Sequence, residues 1–311
     1  MSQKEKPKNL IDGRKISRQV KEEVKEKIEE LKKLHDKSPG LAVIIVGDRP
    51  DSRTYVNMKK KACAFVGIKS FERKLEVDVT QEELIKIVRE YNENPEINGI
   101  LVQLPLPKHI DEEEILSQIS LTKDVDGFSP YNIGKCAMKG RDPLFFPCTP
   151  YGCIQLLKRS NVEISGKEAV IIGRSNIVGL PVSFLLLKEN ATITICHSRT
   201  KDIASTVKRA DIIIAAVGIP KFVKAEWVKE GAVIIDVGIN SVEDKTRKSG
   251  RRLVGDVDFE NVKEKASLIT PVPGGVGPMT VAMLMVNTLR GFERSLESEQ
   301  KEKENEKEKE N

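Results

Sequence analysis

Apolar residues recur along the chain in two rhythms. Between residues 14 and 35, Ile16, Val20, Val24, Ile28, Leu31 and Leu34 fall mostly three or four apart, which predicts an amphipathic helix. The next stretch, Leu41-Ala42-Val43-Ile44-Ile45-Val46, is continuous and ends at Gly47, as expected of a strand buried on both faces. A helix should follow to about Val66, with Asp51 or Ser52 as its cap and Gly67 as its stop. A strand near 71–77, a helix near 81–92 and a strand at 99–104 continue the alternation. It restarts after Pro147-Cys148-Thr149-Pro150, with strands expected at 169–172, 191–196, 212–217 and 232–237 and helices between them. Strands alternating with helices predict parallel sheets with crossover helices. A last helix is expected from Met279 to about Leu296.

Composition narrows the class. At 311 residues, two domains are the prior. Hydrophobic residues at 39% and charged residues at 32% supply cores under a charged surface, unlike a disordered chain. No apolar run approaches the ~20 residues of a membrane span, and the first residues lack the apolar core of a secretory signal. Five Cys without paired spacing fit thiols in a reducing compartment, hence a cytoplasmic location, or an organelle after loss of an address peptide. The three His, His35, His109 and His197, are too scattered for a zinc cluster, so no metal is expected.

The net charge of +5 conceals a split. From Glu297 onward four Lys face seven Glu, so the rest of the chain carries +8. Lys and Glu alternate along the helical stretches, a solvated-face pattern, and no aromatic-rich nucleic-acid module accompanies them. A cleft for phosphorylated or polycarboxylate small molecules suits the positive body better. The Lys/Glu segment 298–311 lacks apolar residues and is expected to be frayed or disordered.

Val170-Ile171-Ile172-Gly173-Arg174-Ser175-Asn176-Ile177-Val178-Gly179 stands where a strand turns into a helix, the place where a dinucleotide pyrophosphate meets free backbone amides. The match is imperfect: Ser175 replaces the second glycine and Gly179 comes one residue late. A tight turn alone would also want glycine, but the strand–helix context favours nucleotide binding. The next strand ends Cys196-His197-Ser198-Arg199-Thr200, without the acid that holds the ribose hydroxyls of NAD. Ser198 and Arg199, with Arg174 from the first turn, could instead hold a ribose phosphate, so NADP is preferred.

Tyr55 and Lys59 lie one helical turn apart on one face. A Tyr-x-x-x-Lys pair also marks short-chain dehydrogenases, but there it follows the nucleotide fingerprint, and here it precedes Gly173 by more than a hundred residues. That order excludes the reading. Lys59-Lys60-Lys61 alone would be a solvated basic run. Val102-Gln103-Leu104-Pro105-Leu106-Pro107, however, places Gln103 at a strand's carboxyl end, the usual ligand crevice. Lys123-Asp124-Val125-Asp126-Gly127-Phe128 and Pro273-Gly274-Gly275-Val276-Gly277-Pro278-Met279-Thr280 follow.

Together, in this order and around Gly173, these motifs resemble those of the bifunctional methylenetetrahydrofolate dehydrogenase/methenyltetrahydrofolate cyclohydrolase family, over roughly residues 10–294. The resemblance implies two α/β domains flanking a cleft, the second a doubly wound Rossmann-type parallel sheet. Residues 1–149 with 279–297 would form a catalytic folate-binding domain, and 150–278 an NADP-binding domain. It implies Lys59 as general acid/base, Gln103 bonded to it and orienting substrate, Tyr55 bordering the folate rings, and Asp126 binding the pterin. Leu104, Pro273, Gly274 and Gly277 would line the substrate cleft. Gly173, Arg174, Ser175, Gly179, Ser198, Arg199, Gly218 and Ile239 would hold NADP. Tetrahydrofolate substrates, polyglutamylated or not, and a homodimer formed through the nucleotide domains are the implied partners, with no nucleic acid and no membrane. Lys60 and Lys61 could depress the Lys59 pKa if they face the site. A nucleotide-sensing protein, or another two-domain dehydrogenase acting on an amino acid, remains an alternative at this point. The ATP-driven ligase fused to some relatives is not expected here, because Asn161 stands where a phosphate-binding loop ending Gly166-Lys167 needs its first glycine.

Overall fold

The computed structural model describes residues 7–48, 50–247 and 250–310, apart from the side chains of residues 50–54 and 310. The cap expected from Asp51 or Ser52 lies outside those described side chains. By compactness the chain divides into two units. One comprises Gln19–Gly134, Pro143–Cys148 and Val281–Asn311, the other Met1–Arg18, Lys135–Asp142 and Thr149–Thr280.

The first unit is laid down by α1 (Gly13–His35), β1 (Gly40–Val46), α2 (Pro50–Val66), β2 (Lys69–Leu75), α3 (Gln81–Glu93), β3 (Gly99–Val102), α4 (Glu112–Ser117) and α5 (Pro130–Ala137). Its sheet is parallel, in the order β2-β1-β3. All seven residues of β1 are buried, which is why its run is apolar without alternation. Ala42, Ile44 and Val46 face one core, where they meet Leu84, Ile87 and Val88 of α3. At the edge, β2 begins two residues before the expected start because its register pairs Gly40 with Lys69 and Val46 with Leu75. Val77, which suggested a later end, is 61% exposed.

Local chemistry closes the ends of α3. Thr80 Oγ1 accepts from Glu83 N at 3.2 Å while Glu83 Oε2 accepts from Thr80 N at 3.1 Å, a reciprocal capping box. At the other end Lys123 Nζ donates to the carbonyls of Tyr91, Asn92 and Asn94. Asn98 ties the sheet to the last helix: its Oδ1 accepts from Gly40 N at 2.9 Å and its Nδ2 donates to Ser295 Oγ at 3.0 Å.

The second unit begins with α6 (Cys148–Arg159) and continues through β4 (Glu168–Ile172), α7 (Gly179–Lys188), β5 (Thr192–Cys196), α8 (Ile203–Val207), β6 (Ile212–Ala215), β7 (Val233–Asp236), β8 (Asn240–Glu243), β9 (Arg251–Val254), α9 (Phe259–Val262) and β10 (Leu268–Ile269). Five of these strands form a parallel sheet in the order β10-β7-β6-β4-β5. The chain therefore reverses direction across the sheet between β4 and β6, and the crevice outside their carboxyl ends is where such folds take ligands. The antiparallel hairpin β8–β9 and the two-residue β10 carry too few apolar residues to register as strands in the sequence.

The last helix, α10 (Val276–Glu310), starts three residues before the expected Met279 and does not end near Leu296. The charged tail continues it rather than fraying. Lys and Glu are good helix formers, Glu297 and Lys301 are spaced one turn apart, and Lys37 Nζ holds Glu299 at 2.6 Å.

Replacing Asn98 by Ala leaves the buried Gly40 N–H without its acceptor. Urea denaturation is expected to show a loss of about 1–3 kcal/mol, against little change for Lys37→Ala, whose ion pair is exposed.

Candidate active site

α2 presents Tyr55 half-buried and, one turn on, Lys59 with only 9% of its surface exposed. Lys59 Nζ donates to Gln103 Oε1 at 2.9 Å. Gln103 follows β3 directly; its N–H continues the ladder by donating to Ile44 O at 2.9 Å. Its own Nε2 donates to Leu104 O at 2.8 Å, so the amide is oriented with its oxygen toward the lysine. A strand end and a helix face thus fix the pair.

Burial lowers the pKa of Lys59 from its ordinary value, opposed by the negative charge of Asp126. The condition under which the neighbouring lysines could add to that shift is not met. Lys60 points outward to Glu72 at 3.3 Å and Lys61 is exposed. Desolvation alone makes the amine a weaker base. Burial likewise raises the pKa of Tyr55, which stays a neutral phenol.

Asp126 retains some accessible surface but is densely surrounded. Burial pushes its carboxyl up to about 6, with Lys59 opposing the rise and Asp124 adding to it. The loop that carries it is over-determined. Asp124 Oδ1 accepts from Gly127 N and Phe128 N, and its Oδ2 accepts from Ser129 N and Asn132 Nδ2, both at 2.9 Å. Asn132 Oδ1 in turn accepts from Phe145 N. From α10, Asn287 Nδ2 donates to Val125 O at 2.7 Å and Phe146 O at 2.8 Å, tying the two peptides together. Cys148, buried, donates its thiol to Val125 O at 3.3 Å.

Asp124, Asn132, Asn287 and Cys148 were not among the residues the sequence singled out. Asn287 had a signal: it is a lone amide within the apolar run Met283-Leu284-Met285-Val286 and Leu289. A buried polar side chain needs a partner, so its position alone marks it.

In the other unit, Gly173 ends β4 at the point where the sheet order reverses. Its φ is +122°, and a Cβ there would lie 2.1 Å from Ala216 O after β6. Only glycine fits. Arg174, Ser175 and Asn176 are exposed beyond it. Ser175 Oγ accepts from Val178 N and Gly179 N at 3.2 and 3.3 Å, shaping the entry to α7. After β5, His197 N donates to Thr200 Oγ1 and Arg199 N donates to His197 Nδ1, which leaves Ser198 and Arg199 exposed at the neighbouring strand end.

Three large apolar side chains also stand exposed along these strand ends: Ile177 at 45%, Ile219 at 49% and Ile239 at 46%. Gly218 is exposed at φ +69° between them. A tight glycine turn, two guanidinium side chains and a row of uncovered isoleucines fit a dinucleotide carrying a ribose phosphate: charge for its anions, apolar surface for its rings. Pro273 is exposed, Gly274 is buried against Arg14, and Gly277 lies in the first turn of α10.

The residues named from sequence therefore fall into two groups. Tyr55, Lys59, Gln103, Leu104 and Asp126 belong to the first unit, where Lys59, Gln103 and Asp126 interact. The glycine turn, Ser198, Arg199, Gly218, Ile239 and the Pro273 loop belong to the second.

A nucleotide-type parallel sheet joined in one chain to a desolvated lysine–amide–carboxylate cluster defines a nicotinamide-dependent α/β enzyme. Comparison with known proteins gives the family. Residues 11–126 match the tetrahydrofolate dehydrogenase/cyclohydrolase catalytic domain, and residues 147–296 match the NAD(P)-binding domain of the same family. The chain is 60% identical over 285 residues to bifunctional protein FolD 2 of Arabidopsis thaliana, covering 92% of this chain and 95% of that one. It is 55% identical to bifunctional protein FolD of Acetivibrio thermocellus, covering 90% and 95%. The crystal structure of Trypanosoma brucei methylenetetrahydrofolate dehydrogenase-cyclohydrolase, complexed with NADP and inhibitor, superposes with a TM-score of 0.89 at 46% identity, covering 92% of this chain and 98% of that one. The chain belongs to the tetrahydrofolate dehydrogenase/cyclohydrolase family.

The raised Asp126 carboxyl has a consequence for stability. Its folded value of about 6 exceeds the ordinary 3.8, so folding takes up a proton between those values and stability falls as pH rises across that window. In Asp126→Asn this component disappears. The fall in urea midpoint between pH 4 and pH 6.5, set as round limits about that window, is expected to be smaller in the variant than in the unmodified protein.

Proposed function

We propose that this chain oxidises 5,10-methylenetetrahydrofolate to 5,10-methenyltetrahydrofolate with NADP and then hydrolyses the product to 10-formyltetrahydrofolate. The observation that carries the reading is the Lys59–Gln103 contact at 2.9 Å, in a lysine weakened as a base by burial, in a chain of this family.

When bound, NADP supplies the hydride acceptor. The protein's part in that step is alignment. In the cofactor unit, Gly173 and Gly179 let the turn approach the pyrophosphate, and Arg174, Ser198 and Arg199 hold the ribose phosphate. Ile239 and Gly218 border the nicotinamide end. In the folate unit, Asp126 accepts from the pterin's amino and ring N–H groups, Tyr55 borders the rings, and Leu104 packs beside Gln103 along the substrate.

Hydrolysis makes a different demand. Water adds to the electrophilic methenyl carbon and loses a proton, and the ring nitrogen that leaves must gain one. An amine whose pKa is brought toward neutrality can carry both transfers. Gln103 holds that amine in place by accepting from it, and Asp126 nearby stabilises its charged form. Lys59 is the proton carrier.

The same reading includes a homodimer assembling through the cofactor units, and folates, polyglutamylated or not, as substrates. Free buried thiols at all five cysteines suit a reducing, cytoplasmic setting. Among the described residues no helix is long and apolar enough to cross a membrane.

The test is an assay with methylenetetrahydrofolate and either NADP or NAD, following methenyl absorbance and then formyl product. Lys59→Gln removes the proton carrier at similar length. Cyclohydrolase rate is expected to fall by about 10²–10⁴-fold while dehydrogenase falls less, so methenyl product accumulates. Hydrolysis at the unmodified rate would reduce Lys59 to a structural residue. Arg199→Ala removes a charged hydrogen bond of about 1.5–3 kcal/mol, so kcat/KM with NADP is expected to fall roughly 10–100-fold with little change for NAD. Equal efficiency with NAD and NADP in the unmodified protein overturns the cofactor assignment.

A further inference from the structure

Two buried carboxylates in the cofactor unit have no place in the mechanism above. Asp236, the last residue of β7, is 3% exposed, and Asp256, which follows β9, is fully buried. Neither side chain forms an ion pair among the described residues; both are occupied by hydrogen bonds. Asp256 Oδ2 accepts from Val217 N at 2.6 Å and Gly218 N at 2.9 Å, the two peptides that lead out of β6. Its Oδ1 accepts from Asn240 Nδ2 at 2.8 Å, at the start of β8 and one residue past Ile239. One carboxylate therefore holds both the loop that presents Gly218 and Ile219 and the loop that presents Ile239.

Asp236 fixes that carboxylate from behind. Its Oδ1 accepts from Asp256 N at 2.9 Å and from Gly238 N at 3.0 Å, and its Oδ2 accepts from Val257 N at 3.0 Å. Thr270 Oγ1 accepts from Asp236 N at 2.7 Å. The backbone is tailored to the pair. A Cβ on Gly255 would stand 1.8 Å from Asp236 Oδ2, and one on Gly238 would stand 2.2 Å from Asp256 Oδ1. These two glycines are vacancies into which the carboxylates fit.

Such an arrangement is costly. Burial pushes Asp236 up to about 7, so holding it ionised at neutral pH works against folding. What it yields is geometry: charged acceptors grip backbone N–H groups more strongly than neutral ones, and the gripped peptides are those that end in the exposed isoleucines.

We propose that Asp256, oriented by Asp236, is the positioning residue that sets the loops after β6 and β7 around the nicotinamide end of the cofactor. The proposal rests on the NADP reading above and adds residues which touch neither cofactor nor folate. Their effect reaches the reaction through Gly218 and Ile239.

The experiment measures NADP affinity by calorimetric titration, KM and kcat for NADP in the dehydrogenase assay, cyclohydrolase rate on methenyltetrahydrofolate without cofactor, and thermal unfolding of the cofactor-free protein. Asp256→Ala is expected to weaken NADP binding and lower kcat/KM for NADP by about 100-fold, the scale of a misplacement near 1 Å, with cyclohydrolase within about twofold, a margin of a few tenths of a kcal/mol. Asp256→Asn keeps an acceptor for Val217 and Gly218 and should recover most of the loss. Asn240→Ala cuts only the tie to the second loop, and should raise KM for NADP while kcat changes less. It keeps the test open if Asp256→Ala fails to fold. Unchanged NADP affinity in Asp256→Ala, or in Asn240→Ala when the first variant does not fold, overturns the proposal. So does a parallel fall of both activities with lowered unfolding temperature, which would make the pair structural only. If the unmodified protein binds NADP but does not oxidise methylenetetrahydrofolate, the functional reading fails while the titration still decides the role of Asp256.

Discussion

A charged amine held among apolar side chains is the constraint around which the folate unit is built. Lys59 is nine-tenths buried on α2, and water no longer solvates its ammonium. Burial favours its neutral form. Gln103 and Asp126 oppose that shift: one accepts a hydrogen bond at 2.9 Å and the other supplies opposite charge. The balance is what proton transfer requires, since an amine pinned in either state could not cycle. Burial also shifts Asp126 toward its neutral form, and the charge of Lys59 opposes that shift.

Such a pair is useful only if its geometry is fixed by its surroundings. The loop at Asp126 is held by Asp124, Asn132 and Asn287 through backbone N–H and C=O groups. The cofactor unit repeats the device with Asp256 and Asp236. In both units a buried carboxylate collects backbone N–H groups from a loop. Loops at these positions would otherwise rely on water to satisfy their amides. A side-chain acceptor removes the water and sets the direction of the chain.

The sequence discloses the strands and the chemistry unequally. β1, β4, β6 and β7 are legible because burial on both faces forces continuous apolar runs, and Gly173 is legible because a turn that close to Ala216 tolerates no side chain. Lys59, Gln103 and Asp126 are legible only through the order of several motifs, since each alone is an ordinary polar residue. The strand β2 is shifted because its apolar content is too low for an edge to announce its register. The helical tail escapes notice because lack of apolar residues argues against packing, whereas Lys/Glu spacing supports a helix that needs none. Asp256 escapes for another reason. Two of its partners are the backbone N–H groups of Val217 and Gly218, far along the chain, and a backbone amide has no identity that a sequence can display.

The two reactions then place different demands on different kinds of residue. Hydride transfer moves no proton to or from the protein, so its rate depends on donor and acceptor alignment, to which loops, glycines and buried carboxylates contribute. Hydrolysis moves protons, so its rate depends on a titratable amine and on the field around it. On the function proposed above, the residues that set alignment and those that set protonation are largely separate sets in this chain. Gly218, Ile239, Arg199 and Asp256 belong to the first, and Lys59 with Gln103 to the second. Asp126 belongs to both, because in that reading it binds the pterin, and its negative charge also opposes the lowering of the Lys59 pKa. A change at Asp126 must therefore disturb binding and proton transfer together, whereas a change on either side of it can separate them.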